Sequence, residues 1–275
     1  MGSFGSIIKE IRKTRKLTQK MLSEDICSQS VLSRIENNEE LPNVVVMQQI
    51  CKRLGVTMDQ IMQSKSDEVR QVTTIFFKMA NFLRHKEYEK LYSCIVDTHI
   101  EDQIYLETDW QRYYYYLGTC EYFLYGNYDK AILDLKKGLS YTFQADKMNI
   151  SDYEVQLMSC IGSTYSNIGQ IEEAEKYLKS SIHYFNKLPN ERVNVELTKI
   201  FYNYSKFLLE QGRNEEAQIH VTQGISWAQQ KTSYYYLSEL FSLQSELFSL
   251  QGRHEEATEF QKLSDQVDKI EQLVI

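Results

Sequence analysis

The chain has 275 residues, of which 42% are hydrophobic, and a formal net charge of −7, so it can bury a sizeable core and is expected to contain two domains. Its five cysteines form no CxxC pair, which argues against a disulfide framework or a cysteine zinc site and favours a reducing, cytoplasmic environment. No run of about 18 apolar residues could span a bilayer, so no membrane association is expected.

Charge is distributed unevenly along the chain, and residues that break helices are few. Residues 1–64 hold nine Lys and Arg against seven Asp and Glu, whereas the remaining residues hold 22 against 31. This mildly basic front segment indicates a nucleic-acid partner. Because the chain has only two prolines and eleven glycines, an all-α protein is predicted.

Residues 1–63 predict a domain of five short helices. The first has its apolar residues on one face and basic residues on the other, the apolar ones being Phe4, Ile7, Ile8 and Ile11. Thr18 is the expected N-cap of the second helix, and a third follows a short break. Asn43 caps a fourth helix that ends at Gly55, and Thr57 with Gln60 forms a capping box for a fifth.

Two sequence phrases mark the second and third of these helices. Thr18–Leu22 reads T-Q-x-x-L, and Ser33–Asn38 reads S-x-I-E-x-N. This pair resembles the helix-turn-helix of the phage-repressor and Xre-like family, in which the last position of the second phrase is Gly. Asn38 is a mild departure, because Asn also tolerates the left-handed conformation.

In such domains the third helix enters the major groove, and the residues at its start reach base edges. Residues on the outward face of this helix can contact bases, because a Gln side chain can form two hydrogen bonds with adenine and an Arg side chain can form two with guanine. Gln19 and the basic face of the first helix are expected to hold phosphates, which position the protein without specifying sequence. The predicted DNA-binding residues are Gln19, Ser28, Gln29, Ser30, Ser33 and Arg34. The alternative for the basic residues is an ordinary solvated surface.

Beyond a polar linker predicted at residues 64–70, a phrase of Gly, two residues, an acidic residue and Ala recurs. Its glycines, Gly126, Gly169, Gly212 and Gly252, are 43, 43 and 40 residues apart, a period that indicates a helical-repeat solenoid. Each Gly is expected to open the turn between two antiparallel helices, and each Ala to let them pack closely. The pattern resembles the tetratricopeptide repeat. With a degenerate unit around Tyr88, residues 71–275 are predicted to form about five hairpins in a right-handed solenoid.

Stacked hairpins of this kind form a concave wall that suits an extended peptide. Asn side chains on this wall can bond both polar groups of a peptide unit, and Lys199 and Lys206 are candidates to receive an anionic end of the ligand. Counting along the first helix of each unit gives the predicted peptide-binding residues Tyr116, Gln156, Ser163, Asn167, Tyr202, Asn203 and Lys206. The alternative is a solvated helix face. The tyrosines of the runs 113–116 and 234–236 are expected mainly to pack between helices.

The whole chain resembles the peptide-responsive transcriptional regulators of Gram-positive bacteria, the RNPP family of PlcR, Rgg and PrgX, with PlcR-like members nearest. The likeness rests on the front phrases and on Tyr202-Asn203 followed by Lys206. It implies a cytoplasmic homodimer without cofactors that binds double-stranded DNA and a short signalling peptide in quorum sensing. Asn203 would clamp the peptide backbone, and the peptide would shift the population of states that differ in how the DNA-binding domains seat on the promoter.

Two other interpretations stay open. The solenoid could serve only for dimerisation in a repressor that needs no ligand, or the chain could be an adaptor that docks a protein partner through its repeats. An enzyme is not expected, because the five histidines are scattered and no HExxH, phosphate loop or GxSxG is present.

Overall fold

The structure is a computed structural model that describes residues 4–58, 61, 67–144, 150–189 and 194–273. Over these residues it consists of helices and turns without a β-strand, as predicted. The chain divides into two compact units, Met1–Ile75 and Phe76–Ile275. None of the helices described is long and apolar enough to cross a lipid bilayer.

The first unit begins with four short helices: α1 (Phe4–Thr14), α2 (Gln19–Ser23), α3 (Gln29–Glu36) and α4 (Val44–Leu54). Thr18, Ser28 and Asn43 cap the last three of them, each accepting a hydrogen bond from a backbone N–H of the first turn. Gly55 ends α4 with a φ of 60°, as predicted. The residues buried in the core of this unit include Phe4, Ile7, Ile8, Leu22, Leu32, Ile35, Ile50 and Leu54.

Asn38 connects the start of α1 to the end of α3. Its φ of 63° is the left-handed conformation expected at this position. Its Oδ1 accepts a hydrogen bond of 3.2 Å from the backbone N–H of Gly5. A Cβ at Gly5 would lie 1.8 Å from the carbonyl oxygen of Ile35. This contact therefore requires a glycine at position 5.

The predicted fifth helix and linker fall partly outside the described residues. Gln60 of the expected capping box is not among them, and neither are residues 62–66. The next described helix, α5 (Asp67–Arg84), begins within the segment predicted as linker and runs through the boundary between the two units at Ile75.

Five helical hairpins follow in the described residues, as predicted. The first is α5 with α6 (Tyr88–Thr98), and the second is α7 (Glu107–Phe123) with α8 (Tyr128–Ser140). The other three, in chain order, are α9 (Asp152–Asn167) with α10 (Ile171–Phe185), α11 (Thr198–Glu210) with α12 (Asn214–Gln230), and α13 (Leu237–Leu250) with α14 (His254–Leu273). Short 3-10 helices at Ile100–Gln103 and Val195–Leu197 lie in the connections.

The recurring phrase performs the predicted roles in these hairpins. Its four glycines have φ values between 59° and 76°, a region that side chains rarely adopt. The alanines Ala131, Ala174 and Ala217 are fully buried. A second close approach comes from Gly162 on α9, where a Cβ would lie 2.7 Å from Cγ of Leu178 on α10. Small residues on both helices thus set the close spacing within a hairpin.

Candidate functional site

A chain of polar contacts leads from the start of α3 into the interior of the first unit. Gln29 donates from Nε2 to Oε1 of Gln19 at 2.7 Å, and Gln19 donates from Nε2 to Oε2 of Glu36 at 2.8 Å. Arg12 donates to both oxygens of Glu36, at 2.6 and 2.9 Å. Burial works to raise the pKa of Glu36, but the hydrogen bonds from Arg12 and Gln19 outweigh it and hold this pKa below its usual value.

Of the six predicted DNA-binding residues, Gln19 begins α2, Ser28, Gln29 and Ser30 lie at the start of α3, and Ser33 and Arg34 lie in its second half. Ser28, Gln29, Ser30 and Arg34 are exposed, and Gln19 and Ser33 are half-buried. Ser28 caps α3, and its hydroxyl also lies 2.9 Å from that of Ser30. Arg34 forms a solvent-exposed ion pair of 2.9 Å with Glu40. Such a pair contributes little to stability, so the guanidinium is available to another anion.

A cavity of about 280 Å³ lies in the second unit, on the face formed by the first helices of the hairpins. Its polar walls are Lys86, Thr119, Ser163, Thr164, Lys199, Asn203, Lys206 and Glu239. Its aromatic walls are Tyr88, Tyr122, Phe123, Tyr202 and Tyr236. We call this space the inner cavity. Because its walls come from all five hairpins, a ligand that fills it would contact residues of every hairpin.

The structure brings four of the seven predicted peptide-binding residues to this cavity. Ser163, Tyr202, Asn203 and Lys206 line it. Asn203 is 5% exposed and donates from Nδ2 to Oγ of Ser159 at 3.0 Å, a contact that bridges α11 and α9. Burial raises the pKa of Tyr202 to about 12, so its hydroxyl remains protonated at neutral pH.

The other three predicted residues lie elsewhere. Tyr116 is fully buried, with its hydroxyl 3.2 Å from that of Tyr153. Gln156 is 2% exposed and accepts a hydrogen bond of 2.7 Å from the hydroxyl of Tyr115. Asn167 is exposed at the end of α9, where it donates to the hydroxyl of Tyr122. None of the three lines the inner cavity.

Lys199 is the most unusual residue of the inner cavity. It is 6% exposed, and its ammonium group lies 5.0 Å from the ring centre of Phe123 and 5.7 Å from that of Tyr236. Burial works to lower the pKa of Lys199, whereas the neighbouring Cys160 and Tyr88 work to raise it, and the pKa lies above its usual value. Lys199 is therefore an ammonium ion at neutral pH.

The sequence did not single out several residues of the cavity wall. Lys86 comes from the turn of the degenerate first hairpin and forms an ion pair with Glu239 on α13. Tyr236 precedes α13 and has a φ of 58°, which is rare for an aromatic residue. The run of three tyrosines is a signal for Tyr236, although such a run predicts packing first. Tyr235 is 5% exposed and does pack, whereas Tyr236 both packs and lines the cavity.

Glu196 is a buried acid that lies outside this cavity. It is 6% exposed in the 3-10 helix before α11. Burial raises its pKa to about 7, and the charge of Arg84 opposes this shift without cancelling it. Glu196 is thus partly protonated at neutral pH.

Comparisons with known proteins agree with this architecture. A helix-turn-helix family model matches residues 8–61, and a tetratricopeptide-repeat model matches residues 161–184. PlcR of Bacillus thuringiensis, solved in complex with the peptide PapR7 and DNA, is similar over 100% of this chain and 99% of its own, with a TM-score of 0.72 and 22% identity. The chain has the fold of the PlcR-type regulators.

Two further proteins are similar to this chain. ComR from S. thermophilus, solved in complex with DNA and its signalling peptide ComS, is similar over 98% of this chain and 94% of its own, with a TM-score of 0.62 and 16% identity. The transcriptional activator NprA of Geobacillus stearothermophilus is 30% identical over 77 residues, which are 28% of this chain and 18% of NprA. The chain thus matches only a small part of NprA. The resemblance to PlcR-type regulators predicted from the sequence is confirmed for the fold, and these relatives are regulators rather than enzymes.

Proposed function

We propose that this chain is a DNA-binding transcriptional regulator whose repeat unit binds a short signalling peptide in the inner cavity, and that the bound peptide alters promoter binding. The observation that carries this proposal is the combination, in one chain, of a helix-turn-helix unit with a cavity lined by all five hairpins. Two relatives with this fold were solved with both DNA and a peptide. Quorum sensing is the corresponding biological role.

The DNA-binding part of the proposal is supported by the exposed side chains of α3. Gln29 and Ser30 at its start and Arg34 in its last turn are exposed, with side chains suited to base edges. The contact from Gln29 to Gln19 holds the amide of Gln29 in one orientation. A preordered side chain loses less conformational entropy when it binds. Two such units on half-sites one helical turn apart would multiply specificity, so we propose a homodimer.

The peptide-binding part is supported by the composition of the inner cavity. Peptide backbones need both donors and acceptors, which Asn203, Thr119 and Ser163 supply. The aromatic walls offer apolar area, which carries most of the affinity in peptide pockets. Because the walls belong to five hairpins, a peptide would favour one spacing of the hairpins over others. That differential affinity is what a population shift requires.

Binding to DNA can be tested with a random pool of duplexes, which makes no assumption about the operator sequence. Duplexes are selected from this pool on the full-length protein, and the affinity for the selected duplex is measured by fluorescence anisotropy at several salt concentrations. We expect affinity to fall steeply as salt rises, because phosphate contacts release counterions. A flat salt curve, or a pool that yields no enriched sequence, would contradict a promoter-binding role.

The response to a peptide is measured on the same selected duplex. Synthetic heptapeptide pools or cell-free culture extracts are added, and a change in duplex affinity is expected. Tight duplex binding that no peptide pool alters would instead support a repressor that acts without a ligand.

A further inference from the structure

We propose that Lys199 is a carboxylate-binding residue of the inner cavity, so that the ligand is a peptide that carries either a free carboxyl terminus or an acidic side chain in this cavity. This inference rests on the proposed peptide-binding function and specifies the chemistry of the ligand.

The first argument is that Lys199 forms no direct ion pair with a carboxylate of the described residues. Its relative exposure is 6%, yet no carboxylate of the described chain lies within 4.0 Å of its ammonium group. The other two lysines of the cavity each have one: Lys86 pairs with Glu239 and Glu271, and Lys206 lies 3.8 Å from Glu210. Buried lysines without an ion-pair partner are rare. The ammonium group of Lys199 has the thiol of Cys160 as a neighbour instead, so it can still pair with a carboxylate that enters the cavity.

The second argument is the distribution of charged side chains in the cavity wall. Three lysines line it against one glutamate, so its interior favours an anion. The ammonium groups of Lys86 and Lys199 both lie over the ring of Tyr236, at 5.3 and 5.7 Å from its centre. The side chain of Glu239 can satisfy Lys86, but Lys199 is left for an incoming group.

The third argument is the backbone conformation of Tyr236, whose ring forms part of the cavity wall. Tyr236 is 5% exposed and adopts a φ of 58°, a conformation that is strained for an aromatic residue. Strain of this kind persists where the surrounding structure requires it, and it is concentrated at ligand sites. Here the ring lies at the cavity wall near the ammonium groups of Lys86 and Lys199, and it stabilises both through cation–π contacts until a carboxylate binds.

A carboxylate fits these requirements better than a neutral group. It accepts charge-assisted hydrogen bonds from an ammonium group, and these are roughly twice as strong as neutral ones. In a buried setting the Coulomb attraction between the two charges is weakly screened. Every free peptide has at least one carboxylate at its carboxyl terminus, and Asp or Glu side chains supply others.

The test uses the full-length protein and soluble random heptapeptide libraries, with retained peptides identified by mass spectrometry. One library has free carboxyl termini and all side chains, a second has amidated carboxyl termini, a third lacks Asp and Glu, and a fourth has neither kind of carboxylate. We expect the first library to yield bound peptides and the fourth to yield none. Loss of binding in the second library identifies the terminal carboxylate as the ligand group, and loss in the third identifies an acidic side chain.

The variant Lys199→Met removes the charge and keeps the volume. We expect it to bind the best selected peptide about 10-fold to 100-fold more weakly than the unmodified protein. The matched control is Lys206→Met, because Lys206 lines the same cavity but its side chain is 45% exposed and near Glu210. We expect this control to lose clearly less affinity. Equal retention of peptides from the fourth library, or undiminished binding by Lys199→Met, would overturn the inference.

A second measurement does not need a peptide. Without ligand, Lys199→Met should still melt cooperatively but at a lower temperature than the unmodified protein, because the substitution removes the cation–π contacts with Phe123 and Tyr236. If Lys199→Met does not melt cooperatively, Lys199→Gln takes its place, and undiminished peptide binding by that variant would also overturn the inference. If none of the libraries yields a bound peptide, the proposed peptide-binding function itself is contradicted, which distinguishes that failure from the failure of this inference.

Discussion

Gln29 at the start of α3 is joined to Gln19 at the start of α2 by a hydrogen bond of 2.7 Å between their side-chain amides. The side-chain amide of Gln19 in turn donates a hydrogen bond to the carboxylate of Glu36. This carboxylate also accepts a hydrogen bond from the buried Arg12. The exposed end of the helix predicted to read DNA is therefore connected to the interior through side chains alone. This arrangement positions Gln29 before any nucleic acid is bound.

Replacing Gln29 or Arg34 by Ala should weaken binding to the selected duplex. Each of these side chains can make a bidentate contact with a base, which discriminates by about 1–3 kcal/mol. Circular dichroism should show unchanged helicity, because both residues are exposed. Arg253→Ala is the matched control: Arg253 is an exposed arginine that forms an ion pair with Glu256 in the last hairpin. Equal losses in Arg34→Ala and Arg253→Ala would refute the assignment of α3.

Arg12→Met should destabilise the first unit by about 3–5 kcal/mol, because it leaves the carboxylate of Glu36 buried without its partner. The double substitution Arg12→Met with Glu36→Leu should recover much of this loss, since a buried ion pair can be replaced by apolar residues at little cost. Urea unfolding of the three proteins measures the difference. A double variant as unstable as the single one would show that other contacts of Arg12, such as the one to the carbonyl of Leu17, are dominant.

Glu196 should make the stability of the chain depend on pH. Its pKa is about 7 in the folded chain against 4.5 for the ordinary side chain. Between these values the folded chain holds a proton that the unfolded chain has released, so the free energy of unfolding falls as pH rises. The loss amounts to about 3 kcal/mol between pH 4.5 and 7 and levels off above that.

Glu196→Gln should remove this contribution, because an amide does not titrate. Thermal melts of both proteins from pH 4.5 to 8 measure it, and the variant should gain most relative to the unmodified chain at the alkaline end. Parallel pH profiles of the two proteins would show that Glu196 is not the titrating group.

Gly162→Ala should destabilise the chain by about 1–3 kcal/mol, although alanine is the better helix former. The added Cβ would lie 2.7 Å from Cγ of Leu178 and 3.0 Å from the carbonyl oxygen of Ala174, and that backbone atom cannot easily move aside. Ser242→Ala, on an exposed position of α13, is the control and should change stability by only a few tenths of a kcal/mol. A stabilised Gly162→Ala would show that the two helices of the hairpin pack less closely than these distances require.

Much of the fold was accessible from the sequence because its determinants are local. The phrase of Gly, acidic residue and Ala encodes a turn with positive φ followed by a close helix contact, and both features are present at Gly169 and Ala174. Asn38 likewise adopts the conformation that its family position requires. Such positions depend on one or two neighbours in the chain.

The cavity was only partly accessible because its shape depends on how neighbouring hairpins cover one another. Counting helical turns places Tyr116 and Gln156 on the correct helices, but the side chains of Tyr153 and Tyr115 cover them. Lys86 could not be found by counting, since it belongs to a turn without the recurring phrase. That no carboxylate of the described residues lies within 4.0 Å of the Lys199 ammonium group is a fact of tertiary structure and has no signature in the sequence.

The central claim is that a peptide in the inner cavity changes how the first unit binds DNA. The most direct measurement is the affinity for the selected duplex with and without the best selected heptapeptide, in the unmodified protein and in Asn203→Ala. We predict that the peptide changes duplex affinity in the unmodified protein by about 10-fold or more, and that Asn203→Ala binds the duplex normally but no longer responds to the peptide. A peptide that binds without changing duplex affinity in the unmodified protein, or an undiminished response in Asn203→Ala, would contradict the claim.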